Sequence, residues 1–323
     1  MAVEPTLPVQ GLAVETEALK ALQFYLHNYT TLMFTGLGPR NKKIILGSKP
    51  FGCRFCDGKP PKRTFDKRAH AVSELLGNKI MVSLYECDDC NKRFSGFEDD
   101  LGKMTLPARN IGGVIGKNGV PKLVTAGRGA ARKSIMKFKN SGLHVVEDEA
   151  TKTLTLTYVE QPYRPLAVYK ALCKSAFTLL PNEELVHFPE LRQWLLRGDL
   201  TTDQVYARGS YICHTTFVQA FQPFKQPIVC LLKRKDQIDA QYMSFFIASG
   251  NVSYQIFLPC PAKDAHLRGR TITTPAFPHF FQLQPSLIPG ATLAGQIDLG
   301  APDRTKKRTG TVSWRYEKKI KVA

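Results

Sequence analysis

Apolar residues recur every three or four positions between 15 and 34, at Leu19, Leu22, Leu26, Tyr29 and Met33. That spacing predicts a helix with one packing face, ended by Gly36, Gly38 and Pro39. Residues 1–13 carry Pro5, Pro8 and Gly11 without periodicity and read as an extended arm. Residues 44–46 and 80–85 are rich enough in branched side chains for short strands. Residues 91–104 read as a helix with Phe94, Phe97 and Leu101 on its apolar face. Strict alternation over 151–158 predicts a hairpin within 143–159, turned at Glu147, Asp148 and Glu149. Residues 164–180 carry Val168, Leu172, Ala176 and Leu179 on one helical stripe, and Pro181 stops it. Asn182 is placed to cap a further helix over 183–197. Beyond Gly198 the pattern turns to strands at 227–232, 242–248 and 252–258, with an alternating basic strand at 312–322 after a loop at 301–309 read as mobile.

This order predicts an α+β chain in three stretches: an N-terminal arm and helix (1–50), a small module (51–105) and a larger mixed α+β C-terminal domain (106–323). The last begins with a basic, glycine-rich connector over 106–142. Within it, Val114 to Gly119 mimics the G-x-x-G loop of KH RNA-binding domains. Pro121, Gly127 and Gly129 oppose the helix that must follow such a loop, so a glycine turn between strands is the better reading. No Gly-Lys-Ser/Thr follows, which excludes a phosphate-binding loop of the Walker kind.

The formal net charge of +18 changes the picture, because it calls for a polyanionic partner. No apolar run reaches the eighteen or so residues that span a bilayer, and the first twenty residues lack a signal-peptide layout. Nucleic acid is therefore the expected partner and the cytoplasm the expected compartment. Cys173, Cys213, Cys230 and Cys260 lie in apolar surroundings and read as buried free thiols. His187, His214, His266 and His279 are isolated and read as surface or satisfied core residues.

The remaining four of the eight cysteines form two Cys-x-x-Cys knuckles, Cys53/Cys56 and Cys87/Cys90. Each offers two thiolates from a tight turn, and together they make a four-cysteine site of the structural zinc type.

Between and just after the knuckles stand Ala69-His70, Leu76-Gly77-Asn78, Cys90-Asn91, Phe94 and Glu98-Asp99 followed by Leu101. In this order the stretch resembles the HNH endonuclease family, in the subgroup reading A-H, L-G-N, C-x-x-C-N and E-D-x-L. The resemblance covers about fifty residues, 53–101. It implies a ββα-metal fold and metal-dependent hydrolysis of phosphodiester bonds in nucleic acid, most readily DNA. It also extends to effectors of bacterial defence. The alternative is a protein that binds nucleic acid on a zinc scaffold without cutting it.

By the resemblance, His70 is the general base, Asn78 holds its ring, and Asn91 is a ligand to catalytic Mg2+ or Mn2+ at the start of a helix. The family places an acid or histidine before the base, where this chain has Ala69. Glu98 shares a helix face with Asn91 and is the candidate replacement, with Asp66 behind it. Lys62, Arg63, Lys67 and Arg68 in the basic strip, Arg93 on the helix, and Arg132 and Lys133 in the connector are candidates for phosphate contact. The N-terminal helix or the C-terminal domain is where a second copy or a regulatory partner would dock.

Overall fold

Branched and aromatic residues are concentrated between 212 and 258, and there they build the centre of a six-stranded antiparallel sheet. The structure, a computed structural model, describes residues 9–48, 52–123, 145–202, 209–220, 222–272, 274–284 and 292–315. The first elements are α1 (Val9–Asn28), β1 (Tyr29–Gly36), β2 (Ile44–Leu46), β3 (Ala69–His70), β4 (Met81–Ser83), α2 (Asp88–Met104) and α3 (Leu106–Ile111). Next come β5 (Val145–Asp148), β6 (Thr153–Glu160), α4 (Pro165–Leu179), α5 (Pro189–Leu196), β7 (Ile212–Val218), β8 (Phe224–Arg234), β9 (Met243–Gly250) and β10 (Val252–Leu258). The short α6 (Pro261–Asp264) and α7 (Phe280–Leu283) precede β11 (Thr292–Asp298) and β12 (Arg308–Arg315).

The large sheet runs β1-β8-β9-β10-β7-β11. Both of its faces are covered, so β9 and β10 are buried along their whole length. Alternation sorts the side chains. Phe245 and Ile247 of β9 and Tyr254 and Ile256 of β10 join the core on the α4 side. Phe246 and Ala248 join a second cluster with Tyr25 and Tyr29, under α1 and the segment around Phe277. A second sheet runs β12-β6-β5, and a third runs β2-β4-β3.

The principal core is continuous. Cys53, Phe55 and Phe94 from the cysteine-rich stretch share it with α4, Trp194 and the sheet. Phe55 stacks edge-on against Phe94 at 4.6 Å and meets Phe177 of α4 at 5.3 Å. Every residue of α4 is buried, because α2 packs on one side of it and β10 on another. Cations seal the helix ends inside this core. Arg54 donates to the carbonyls of Phe177, Thr178 and Leu180 at the C-terminal end of α4, where helical donors run out. Lys170 does the same for α5, donating to the carbonyls of Trp194, Arg197 and Asp199.

Several elements differ from the sequence expectation. The first helix ends at Asn28, and Tyr29 to Gly36 is an edge strand paired with β8. Tyr29, Thr30 and Thr31 suit a strand, and the ladder of β8 overrides the helical spacing. The helix expected over 183–197 is two pieces, a 3₁₀ turn at Asn182–His187 and α5. Pro189 cannot continue a helix and drives Phe188 out of helical geometry. Asn182 does not cap; its side chain accepts a hydrogen bond from Arg54. The hairpin turns over 149–152, with Lys152 at φ 52°, so Glu149 is in the turn while Glu147 and Asp148 belong to β5. The glycine-rich turn is present, with Gly116 bridged to Gly119, but it follows α3 and does not join two strands. Strand β12 starts at Arg308, inside the stretch expected as a loop, and 316–322 lies outside the described residues.

Candidate functional site

The first knuckle is a turn closed by Cys53 N–H donating to the Gly58 carbonyl and Asp57 N–H donating to the Cys53 carbonyl. Asp57 takes a left-handed conformation, φ 57°. The second knuckle opens α2: Cys87 is its N-cap and Cys90 lies in its first turn. The four Sγ atoms lie within 4.8 Å of one another, and Cys56 and Cys87 are 3.7 Å apart. Four thiolates about 2.3 Å from one tetrahedral ion would stand about 3.8 Å apart. The donor set and spacing therefore fit a metal such as zinc. In the thiol form the protons are unevenly shared. The hydrogen bond with Cys90 holds Cys53 far below the usual thiol range and pushes Cys90 far above it.

The second knuckle leads into α2, whose Glu98 reaches Ser73 just beyond β3; β3 pairs antiparallel with β4, His70 opposite Val82. The His70 side chain is 18% exposed and its Nδ1 is sealed, with no hydrogen-bond partner among the described residues. Nε2 is thus the nitrogen left to meet water. It stands 3.6 Å from Glu74 Oε2. Burial, opposed by the Glu74 charge and aided by Arg68, holds the imidazole below its ordinary pKa, so it is neutral at pH 7. Ala69 is 1% exposed and faces the interior, away from His70 by strand alternation.

Asn78 is fully buried, and its amide is spent on backbone. It donates to the carbonyls of Val72 and Met81 and accepts from the N–H groups of Ile80 and Met81. None of these bonds reaches the His70 ring, contrary to the role the resemblance implied. Asn78 instead shapes the loop that carries Glu74.

Asn91 sits in the first turn of α2 and does not start the helix, which begins three residues earlier at Asp88. Glu98 lies about 10 Å further along the axis, at 1.5 Å per residue. Its Oε2 accepts from Ser73 Oγ at 2.9 Å, and its Oε1 faces Lys174 Nζ at 3.5 Å. Asp66 is exposed. Apart from the four cysteines, no three His, Cys, Asp or Glu side chains among the described residues converge closely enough to enclose an ion.

Sequence reasoning missed Ser73, Glu74, Glu86 and Lys174. Lys174 Nζ lies 2.9 Å from Glu86 Oε2 and donates to the His70 carbonyl at 3.1 Å. Burial works against its charge, but Glu86 and Glu98 outweigh burial and raise its pKa. The signal was a lysine pair, Lys170 and Lys174, one turn apart inside an otherwise apolar helix.

The basic candidates separate. Lys62, Lys67 and Arg68 are exposed. Arg63 is paired with Asp89, and Arg93 donates to the Leu196 carbonyl at the end of α5. Arg132 and Lys133 lie outside the described residues. Among the isolated histidines, His279 is buried at the N-cap of α7. Among the described residues no helix is long and apolar enough to cross a membrane. Compared with family models, curated proteins and solved structures, the chain matches none.

Proposed function

We propose that this chain is a metal-dependent endonuclease of the HNH type that hydrolyses phosphodiester bonds in DNA. The observation that carries the reading is the grouping at His70, a neutral histidine of β3 with one sealed nitrogen, of Glu74 at 3.6 Å and, through Ser73 and Lys174, of Glu98 from the helix that the second knuckle opens. The order strand, strand, helix, with the histidine on the first strand and the second knuckle at the start of the helix, supports it further.

Zinc at the four cysteines has a structural role, since all four protein ligands leave no open position. His70 takes the proton from the attacking water at Nε2. Around it stand the carboxylates Glu74, Glu86 and Glu98, met by Lys79 and Lys174, with the charges of Arg68 and Lys117 also felt at His70 and Glu74. Glu98 and Glu74 are the oxygen donors that would hold a hard divalent ion such as Mg2+ or Mn2+, and Asn91 stands two turns back along α2. When bound, that ion supplies charge neutralisation at the phosphorus and help for the leaving oxygen. Lys62, Lys67 and Arg68 lie just before His70 and neutralise flanking phosphates.

One observation favours a second reading. Ala69 faces inward and Glu98 is already bonded to Ser73 and faces Lys174, which suits a zinc scaffold that binds DNA without cutting it. Incubating the protein with single- and double-stranded DNA and RNA in EDTA, Mg2+ or Mn2+ separates the two. Metal-dependent cleavage supports the endonuclease; salt-sensitive binding without cleavage supports the scaffold.

A further inference from the structure

A lysine without exposure is costly unless its charge is met on several sides. Lys174, 1% exposed, is met on three: by Glu86, by Glu98 and by the carbonyl of His70. The three partners have different stations. Glu86 is also sealed and precedes Cys87, so it is tied to the cysteine centre. Glu98 is the half-buried carboxylate of α2, two turns beyond the second knuckle. His70 carries the imidazole on β3. Lys174 itself comes from α4, which lies against the large sheet.

The other internal cations do not have this position. Lys170 meets only the C-terminal end of α5 among its named carbonyl partners, and Arg54 meets that of α4. Arg234 pairs with Asp264 on the far side of the sheet. Lys174 alone among these joins the residue before a cysteine ligand to the backbone of the candidate base and to the candidate carboxylate.

Resting on the endonuclease reading, we infer that Lys174 is a positioning residue for phosphodiester hydrolysis, holding Glu98 and the strand of His70 in register with the cysteine centre. It touches neither water nor phosphate. It fixes where the Glu98 carboxylate stands, with Ser73 Oγ on the other oxygen. The larger C-terminal part of the chain thereby contributes a piece of the hydrolytic site, and the stretch 53–101 is not a self-sufficient catalytic unit.

The test must separate positioning from folding, because removing Lys174 alone strands Glu86. The full chain is therefore compared with Lys174→Met/Glu86→Leu, which replaces the buried pair by apolar side chains of similar volume, and with Lys174→Arg, which keeps the charge. Zinc content, circular dichroism and thermal melting report folding. Steady-state cleavage of DNA with varied Mg2+ reports the site. The inference expects the double variant to fold, keep its zinc and bind DNA with unchanged KM. Its kcat should fall by about 100-fold or more, with a raised Mg2+ requirement, while Lys174→Arg retains a larger share of kcat. A folded, zinc-loaded double variant that cleaves within twofold of the parent, with the same Mg2+ dependence, overturns the inference and leaves the endonuclease reading standing. A double variant that fails to fold is replaced by Lys174→Gln/Glu86→Gln, which leaves no buried charge of the pair unmet and is judged by the same ratio of kcat to zinc-loaded protein. If the parent cuts no nucleic acid with any metal, the endonuclease reading fails and the inference with it.

Discussion

Lys174 Nζ and Glu86 Oε2 lie 2.9 Å apart with both side chains withdrawn from solvent, and 88 residues separate them in the chain (174 − 86). Such a pair does not by itself stabilise a fold, because desolvating two charges offsets their attraction. Breaking it from one side is another matter. Lys174→Met alone should cost about 3–5 kcal/mol in denaturant unfolding, the usual cost of an uncompensated buried charge. The double variant Lys174→Met/Glu86→Leu should recover most of that loss. Equal stabilities for the two variants would mean that Glu86 finds another partner.

The cysteine centre should hold one zinc per chain. Cys90→Ser removes a thiolate from the first turn of α2, next to Phe94, which packs on Phe55. Zinc loss should loosen the hydrophobic seam between α2 and α4 before it alters chemistry, because structural zinc contributes folding free energy. Elemental analysis of protein purified without chelator checks this, and a metal-free protein of parental stability contradicts it.

The histidines set a pH dependence of stability. Burial holds His279 down to about 4 from an ordinary 6.5, and it also lowers His70 and His214. The unfolded chain then binds more protons than the native one between those values, so stability rises with pH. The contribution is fully present above about 6.5 and is lost as pH falls towards 4. His279 alone is worth on the order of 3 kcal/mol across that window, at about 1.4 kcal/mol per unit. His279→Phe, beside Phe224 and Phe281, should flatten the slope between pH 4 and 6.5 relative to the parent. An unchanged slope in urea melts would assign the acid sensitivity to other groups.

DNA binding should weaken as salt rises, in proportion to the phosphates neutralised. Reversing Lys62, Lys67 and Arg68 together should lower the salt slope by roughly 3, since each phosphate contact contributes about 0.9. Reversing Arg63 and Arg93 should move it less, because they are held by Asp89 and the Leu196 carbonyl. Filter binding or fluorescence anisotropy at several salt concentrations measures both slopes.

What the sequence made legible was local. The two knuckles are four-residue units, and their meeting needs only the short sheet between them. The helix α4, though not its burial on all sides, follows from an apolar stripe with Pro181 behind it. What stayed hidden depends on partners far along the chain. Tyr29 to Gly36 has helical spacing, and only the ladder of β8, some two hundred residues on, makes it a strand. Lys170 and Lys174 look like the solvated edge of a helix until α5 and the His70 strand close over them. Strands β7 and β11 escaped notice because polar residues interrupt them, and their mutual pairing supplies what the pattern lacks. Asn78 was found by its motif, yet its partners are backbone groups, and no motif specifies those.

The central claim is that this chain cuts DNA with His70 as the base. The most direct measurement is plasmid cleavage by the parent and by His70→Ala, in EDTA and in Mg2+ or Mn2+, with zinc content and DNA affinity measured on the same samples. The account predicts cleavage by the parent only with added divalent ion, and a loss of about 10²–10⁴-fold in His70→Ala, the usual worth of a general base. Zinc and affinity should stay unchanged. Parental cleavage rates in His70→Ala, or no cleavage by a zinc-loaded, DNA-binding parent, would contradict it.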